Sequence, residues 1–219
     1  AQISELPGEF VLRFMTSHPK DASRKLFDTM ASHEKIAKQF HLPFQSGNDR
    51  ILREMNRRYT AAQYLELIRY GREKMPEIVF TSDVIVGFPG ETEAEFEDTL
   101  RLIETVRFDA LFTFIYSPRP GTPAAKMPDP FPRADKNRRF DCLLEAQNRI
   151  SLEKHQAYIG KTCRVLLDGT DKDLLTGRTD GGRLVRLPGD PALIGQFCDV
   201  HITDCTTWSL TGELAASSC

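Results

Sequence analysis

Thr81-Ser-Asp-Val-Ile-Val-Gly-Phe-Pro-Gly-Glu-Thr92 is the stretch that decides the expected fold. Its run of branched apolar residues predicts a buried strand, and the glycines and proline that follow predict a turn. Thr92 and Glu95 have the spacing of a capping box, which starts a helix by satisfying its first amide groups. A strand, a glycine-bearing turn and a helix in this order are typical of parallel α/β sheets, which bind ligands at the carboxyl ends of their strands. An ordinary βα turn, whose glycines serve only the backbone conformation, fits the same residues.

The rest of the first 156 residues repeats this alternation of strand and helix. Each predicted strand ends in a polar loop that contains glycine or proline, and the strands are residues 10–14, 40–44, 78–86 and 110–116. Helices are predicted between them, one of which starts at a second capping-box pattern, Thr60 with Gln63, and a long helix is predicted over about 133–158. The pattern predicts an α/β fold with a parallel sheet. Its length fits a partial (β/α) barrel of the TIM type better than a closed barrel, which typically needs about 250 residues.

From Gly160 the pattern changes to short strands separated by glycine- and proline-bearing turns. These strands are predicted at residues 163–168, 174–178, 183–187 and 197–203. Five or so strands in about 60 residues are typical of a small all-β barrel of the OB kind. We therefore predict two domains, a partial β/α barrel over 1–156 and a β barrel over 157–219, with the boundary near Gln156.

Composition excludes several classes of function. The formal net charge of −2 creates no overall field for a polyanion, so any nucleic acid must meet local patches. No apolar run approaches the roughly 18 residues that span a bilayer, and we expect no membrane partner. The five cysteines are too widely spaced for a local zinc or iron–sulfur ligand set, so no metal site is predicted. Their odd number and the lack of a signal peptide indicate reduced thiols and a cytoplasmic location.

Four strand-end loops are expected to meet at one edge of the parallel sheet. They carry residues 16–18, residues 45–47, Asp83 with residues 87–91, and Ser117 with Arg119. Hydroxyls, an amide, a carboxylate and a guanidinium in one place suit a polar ligand with amino-acid and sugar parts. Because no catalytic triad, Walker loop or G-x-G-x-x-G motif is present, the residues alone predict a ligand-binding α/β barrel followed by a β module.

Longer motifs carry a family resemblance. They are Arg13-Phe-Met-Thr-Ser-His-Pro19, His41-Leu-Pro-Phe-Gln-Ser-Gly-Asn-Asp-Arg-Ile-Leu52, Met55-Asn-Arg-Arg-Tyr-Thr60, the Asp83 to Thr92 part of the opening stretch, and Tyr116-Ser-Pro-Arg-Pro-Gly-Thr-Pro-Ala124. In this order they closely resemble the radical-SAM methylthiotransferases. The residues from about 160, ending in Thr207-Trp-Ser-Leu-Thr-Gly-Glu213, resemble the TRAM module that closes these enzymes.

The resemblance implies an enzyme that converts isopentenyl-adenosine, next to the anticodon of certain tRNAs, into its 2-methylthio form. It also implies S-adenosylmethionine, as radical source and methyl donor, and two 4Fe–4S clusters. One cluster of the family binds a Cys-x3-Cys-x2-Cys loop and the other belongs to an N-terminal domain, and this sequence contains neither. We therefore expect a C-terminal part of such an enzyme, inactive alone, whose partners are the missing N-terminal domain and the anticodon stem-loop of tRNA.

The resemblance also assigns roles to single residues, although no catalytic residue can be named. Ser17, Gln45 and Ser46 are expected to face the cofactor, and Asp83, Gly87 and Phe88 to form its adenine and ribose wall. Arg119 is expected to hold the methionine carboxylate or a substrate phosphate. The alternative for each is a role in loop structure, with a serine as a cap, Gln45 bonded to the backbone and Arg119 paired with Glu91.

RNA contact is expected from one face of the β module. The module has six Lys and Arg against eight acids, so only a sorted face could meet phosphates, and Arg178, Arg183 and Arg186 are the candidates. Solvated surface charge is the alternative reading of these arginines.

Two other functions stay open. One is a related methylthiotransferase that acts on threonylcarbamoyl-adenosine in tRNA or on a ribosomal protein. The other is a non-catalytic RNA-binding or scaffold fragment.

Overall fold

The computed structural model describes residues 2–14, 18–19 and 21–215. These residues group into two units. The sheet unit consists of Phe14–Ser32 and Phe40–Asn148, and the barrel unit of Ala1–Arg13, His33–Gln39 and Arg149–Cys219. The predicted division into residues 1–156 and 157–219 stays a prediction.

A three-stranded sheet has the strand order β1-β2-β3. Its strands are β1 (Gln39–His41), β2 (Val79–Val86) and β3 (Ala110–Ile115), and β2 and β3 run parallel. After β1 the chain continues beside β2, because the Leu42 amide donates to the Thr81 carbonyl (2.9 Å) and the Gln45 amide donates to the Asp83 carbonyl (2.9 Å). The partial parallel sheet predicted from the alternation is therefore confirmed.

Within the described residues, five α-helices accompany the strands. They are α1 (Arg24–Ser32), α2 (Asp49–Glu54), α3 (Ala61–Lys74), α4 (Glu93–Val106) and α5 (Arg133–Gln156). Both predicted capping boxes are present: Thr60 with Gln63 starts α3, and Thr92 with Glu95 starts α4. In each box the threonine hydroxyl accepts from the amide three residues on, and the long polar side chain accepts from the threonine amide.

Aromatic rings fill the core of the sheet unit. Phe44 and Phe108 stack with their ring centroids 5.3 Å apart, and Tyr64 lies against both. Gly71 lets α3 approach this core closely, since a Cβ there would lie 2.7 Å from the Phe80 ring. Stacked and tilted ring pairs of this kind stabilise a core by about 0.5–1.5 kcal/mol beyond the area that they bury.

The barrel unit contains a closed five-stranded barrel in the order β4-β5-β6-β8-β7. Its strands are β4 (Thr162–Asp171), β5 (Leu174–Thr179), β6 (Leu184–Leu187), β7 (Phe197–Cys205) and β8 (Leu210–Leu214). All pairings are antiparallel except that of β6 with β8. Nine buried residues, eight of them aliphatic and the ninth Cys198, fill the interior. The predicted OB-like barrel is confirmed.

The predicted strand at residues 10–14 is wrong. Leu12 forms only an isolated parallel bridge with Ile36, supported by the Leu12 amide donating to the Lys35 carbonyl (2.7 Å) and the Ala37 amide donating to the Leu12 carbonyl (3.1 Å). The described part of this segment thus pairs with a loop and adds no strand to the sheet. A run of apolar residues is not sufficient for a strand, because the partner backbone decides the pairing.

The cysteines differ in state. Cys142, Cys163 and Cys205 are free thiols, whereas Cys198 is disulfide-bonded, so the expectation of five reduced thiols is wrong at Cys198. Within the described ranges, no helix is long and apolar enough to cross a membrane.

Candidate functional site

A cavity of about 730 Å³ opens in the sheet unit at the carboxyl ends of β2 and β3. This volume lies in the range of about 300–1,000 Å³ that is usual for small-molecule sites. Four of the predicted cofactor residues line the cavity together: Gln45, Asp83, Phe88 and Arg119. The segment after β1, the end of β2 and the end of β3 therefore meet at one cavity. The roles of these four residues in cofactor binding stay predictions.

Gln45 lies beside β2 in an uncommon backbone conformation. Its φ of 67° is in the left-handed region, which non-glycine residues seldom adopt. Hydrogen bonds on both sides fix it there, because its amide donates to the Asp83 carbonyl (2.9 Å) and its carbonyl accepts from the Ile85 amide (3.0 Å). Backbone strain that the surrounding structure fixes in this way is concentrated at ligand sites.

Asp83 and Glu54 both bring carboxylates to the cavity, and His41 lies beside Asp83. The His41 Nε2 is 3.4 Å from the Asp83 Oδ1, while the His41 Nδ1 is 2.9 Å from the Thr81 hydroxyl oxygen. The hydrogen bond with Thr81 therefore fixes the orientation of the imidazole. Although His41 lies beside it, the Asp83 side chain stays partly exposed.

One wall of the cavity is apolar. The rings of Phe88 and Tyr116 meet edge to face with centroids 5.1 Å apart, and Ile85 and Phe114 extend this wall. The Tyr116 hydroxyl is buried without a hydrogen-bond partner among the residues that the structure describes. A flat aromatic ligand such as a purine could pack against this wall and supply a polar atom to that hydroxyl.

The turn over 87–91 positions Phe88 through a buried charged pair. The Glu91 Oε2 accepts a hydrogen bond from the Gly87 amide (2.7 Å), and Arg139 donates to the Glu91 carbonyl oxygen (2.7 Å) and approaches Oε2 at 3.5 Å. The side chains of Glu91 and Arg139 are only 1% and 2% exposed, and burial raises the pKa of Glu91 to about 7. Gly87 has a φ of 69°, and a Cβ there would lie 2.7 Å from the Lys136 side chain.

Three predicted cofactor residues are placed apart from the cavity lining or cannot be placed. Gly87 has its amide engaged by Glu91. Ser46 is buried, its hydroxyl accepts from the Asn48 amide (3.2 Å), and it lies 3.4 Å from the Thr99 hydroxyl. Ser17 lies outside the described residues. Their contacts with a cofactor stay predictions.

Two arginines line the cavity. Arg119 is exposed and forms no ion pair with any residue in the described ranges, and the alternative partner Glu91 is paired with Arg139. Arg57, which the sequence reading did not select, is half-buried and likewise has no ion pair among those residues. It follows Asn56, whose φ of 57° turns the chain after α2. The Met55-Asn-Arg-Arg motif was the signal that could have identified Arg57.

The RNA candidates of the barrel unit each have a protein partner. Arg178 forms an ion pair with Asp168 (3.3 Å), and Arg186 forms one with Asp171 (3.0 Å). Arg183 is 8% exposed, and its guanidinium lies over the Tyr158 ring at 4.9 Å. Arg178 and Arg186 lie on the outer face of neighbouring strands, whereas Arg183 is buried, and RNA contact by all three stays a prediction.

Two known protein families have models that match regions of this chain. The Radical SAM superfamily model matches residues 2–103, and the TRAM domain model matches residues 156–215. Residues 2–103 are thus similar to radical SAM proteins, and residues 156–215 are similar to TRAM domains. The radical SAM match includes Gln45, Asp83 and Phe88, and the TRAM match covers all five strands of the closed barrel.

Curated relatives are similar along almost the whole chain. The tRNA-2-methylthio-N(6)-dimethylallyladenosine synthase of Acetivibrio thermocellus is 48% identical over 216 residues, which are 97% of this chain and 45% of that protein. The protein of the same name from Symbiobacterium thermophilum is 49% identical over 214 residues, 96% of this chain and 46% of that protein. The chain therefore spans about half the length of the curated relatives that it matches.

A solved structure supports the fold. The structure of coproporphyrinogen III oxidase from Escherichia coli, described as a radical SAM enzyme, aligns with this chain with a TM-score of 0.52 at 13% sequence identity. The alignment covers 75% of this chain and 45% of the oxidase chain. At this identity the similarity concerns the fold alone.

Iron–sulfur ligands are not provided by the residues described. These residues contain no group of three or more His, Cys, Asp or Glu side chains that could hold a metal ion. In sequence, the five cysteines lie from position 142 onward, far along the chain from Gln45, Asp83 and Phe88. The residues described therefore do not fit a 4Fe–4S cluster, whereas the cavity combines an apolar wall with charged side chains, a lining typical of sites for small polar ligands.

Proposed function

We propose that this chain is part of a cytoplasmic radical SAM methylthiotransferase that converts isopentenyl-adenosine, next to the anticodon of tRNA, into its 2-methylthio form. The observation that carries the proposal is the chain-long similarity to synthases of that modification, which runs through the radical SAM and TRAM regions alike. Because the chain spans about half of those relatives, the activity is proposed for the whole protein. The N-terminal domain with its cluster ligands and the tRNA anticodon stem-loop are its proposed partners.

We propose that the cavity at the ends of β2 and β3 binds S-adenosylmethionine. The Phe88 and Tyr116 rings offer an apolar surface for the adenine, and Asp83 offers a carboxylate for ribose hydroxyls or the ammonium group. Arg119 and Arg57 offer guanidinium groups for the methionine carboxylate, and a guanidinium binds a carboxylate through two parallel hydrogen bonds. When bound, this cofactor supplies the methyl group and the radical chemistry. The role of this chain is to bind it, orient it and exclude water.

Binding measurements with two ligands test the cofactor assignment. S-adenosylmethionine has the methionine carboxylate, and 5′-deoxyadenosine lacks it. Arg119→Ala should weaken binding of S-adenosylmethionine by about tenfold or more, because a charge-assisted hydrogen bond is worth roughly 1.5–3 kcal/mol, and should leave 5′-deoxyadenosine binding unchanged. Arg101→Ala is the matched control, since Arg101 pairs with Asp98 and Glu97 on α4 and does not line the cavity. Equal losses for both ligands would contradict a carboxylate contact.

Nucleoside analysis tests the reaction. The whole protein, expressed in a strain that lacks its own copy, should restore 2-methylthio-isopentenyl-adenosine in digested tRNA, as measured by mass spectrometry. Restoration of the methylthio group on threonylcarbamoyl-adenosine instead would assign the related tRNA substrate. If no tRNA nucleoside changes, the assignment to tRNA modification is wrong, and a methylthiotransferase for a ribosomal protein or a non-catalytic role replaces it.

A further inference from the structure

Trp208 stands out on the surface of the closed five-stranded barrel. It is the only tryptophan in the sequence, and at 71% exposure it is the most exposed large apolar side chain among the residues described. It lies in the loop over 206–209, between β7 and β8. Tryptophan is enriched at interfaces, because its large apolar ring system carries a polar N–H group.

The loop that carries Trp208 is held by its own hydrogen bonds. The Thr206 hydroxyl accepts from the Trp208 and Ser209 amides, both at 3.1 Å, and the Thr206 amide donates to the Ser209 carbonyl (2.8 Å). The His155 imidazole lies 2.8 Å from the Thr206 carbonyl oxygen and links the loop to the end of α5. The loop backbone is therefore already ordered, which lowers the entropy cost of a contact made by the indole.

Arg186 joins this loop to the turn between β4 and β5. From β6, its Nη1 donates to the Ser209 hydroxyl (2.7 Å), and its Nε donates to the Asp171 carboxylate (3.0 Å). The Arg186 guanidinium thus joins the turn between β4 and β5, the first two strands of the barrel, to the loop between β7 and β8, the last two. In OB barrels these two loops, with the second and third strands, form the surface that binds oligonucleotides.

The charge of the barrel favours stacking over phosphate attraction. Residues 160–219 contain six Lys and Arg and eight acids, and the charge of Arg186 is compensated by Asp171. A net negative surface gains little from attraction to phosphates, whereas an aromatic ring binds any unpaired base through its face. We propose that Trp208 is a stacking platform for an unpaired nucleobase of RNA, and the choice of RNA as the ligand rests on the proposed function.

The single tryptophan makes the test direct. Its fluorescence in the 219-residue chain is titrated with an oligouridine strand, an abasic strand of the same length, an RNA hairpin with an unpaired loop, and a fully paired duplex. We expect the emission to change with the oligouridine and the hairpin and to stay constant with the abasic strand and the duplex. Trp208→Ala should weaken hairpin binding by about five- to a hundredfold, as measured with a labelled RNA, because stacking on one aromatic ring contributes roughly 1–3 kcal/mol.

Two matched variants complete the experiment. Trp208→Phe keeps an aromatic face and should retain most of the affinity, and Ile194→Ala removes a different exposed apolar side chain and should bind as the unchanged chain does. Equal affinity of Trp208→Ala and the unchanged chain would overturn the proposal. An emission change caused by the abasic strand, or by raising the protein concentration without RNA, would do the same, since it would indicate phosphate contact or a protein partner.

The outcome is separable from that of the proposed function. Trp208 does not line the cavity at the ends of β2 and β3. Trp208→Ala should therefore bind S-adenosylmethionine as the unchanged chain does. If RNA causes no change in Trp208 emission while S-adenosylmethionine binds normally, only the stacking proposal is contradicted. If S-adenosylmethionine does not bind and no tRNA nucleoside changes, while RNA still changes the Trp208 emission, only the enzyme assignment is contradicted.

Discussion

Arg50 donates two hydrogen bonds to Glu95, one of 2.5 Å from Nε to Oε1 and one of 2.6 Å from Nη2 to Oε2. The same guanidinium donates to the Gly90 carbonyl (2.9 Å) and to the Glu54 carboxylate (2.7 Å). It therefore joins α2, the turn over 87–91 and the start of α4, next to the candidate cofactor cavity. The hydrogen bonds from Arg50 lower the pKa of Glu95 to about 2.

Glu95→Gln should destabilise the chain by about 1–2 kcal/mol at neutral pH, because it removes a bidentate charged pair that is partly buried. Since the folded-state pKa of Glu95 lies below its ordinary value of 4.5, the unchanged chain should lose this contribution as the pH falls from about 4.5 towards 2. Urea unfolding at several pH values measures both effects. Glu97→Gln is the control, because in the described part of the chain Glu97 forms only an exposed pair with Arg101, and its loss should change stability by less than about 0.5 kcal/mol. A pH-independent difference would contradict the linkage.

Glu91 should make stability fall as the pH rises. Its folded-state pKa of about 7 lies above the ordinary 4.5, so between these values the folded chain binds the proton more tightly than the unfolded chain. The resulting loss from about pH 4.5 to 7 amounts to at most about 3 kcal/mol. Glu91→Gln cannot ionise and keeps an acceptor for the Gly87 amide, so its unfolding free energy should be flatter over this range. Parallel pH profiles for the variant and the unchanged chain would refute the prediction.

Arg57→Ala should weaken binding of S-adenosylmethionine by about fivefold or more, because a guanidinium that lines the cavity would be lost. Arg58→Ala is a closely matched control, since its neighbouring side chain is exposed and does not line this cavity. Calorimetric titration of both variants provides the measurement. Equal effects of the two substitutions would indicate a general loss of positive charge and would remove Arg57 from the site.

Gly177→Ala should destabilise the closed five-stranded barrel by about 1–3 kcal/mol, because a Cβ there would lie 2.5 Å from the Val165 side chain and 2.7 Å from the Leu166 carbonyl oxygen. Gly169→Ala, on the partner strand, would place its Cβ no closer than 3.3 Å, to the Thr176 hydroxyl. Thermal unfolding of the two variants should therefore show a clear drop in midpoint only for Gly177→Ala. Similar midpoints for both would show that β4 moves to accept the methyl group.

Much of the fold could be predicted because its signals are local. The capping boxes at Thr60 and Thr92 require residues only three positions apart, and each forms as expected. The barrel strands follow from short apolar runs between glycine and proline turns, and they close as predicted. The strand predicted at residues 10–14 was wrong because pairing depends on which distant backbone is available, and Leu12 bonds to a loop.

Local sequence signals specified the order of strands and helices, the start of two helices, and the strand-end loops that meet at the cavity. Long-range packing instead selects which side chains of those loops are available to a ligand. Ser46 lies against Thr99 and the Gly87 amide is bound by Glu91, while Arg57 reaches the cavity from the turn after α2. The physical reason is that helix caps and turns form among near neighbours, whereas the hydrogen bonds that engage or release a polar side chain join residues far apart in the chain.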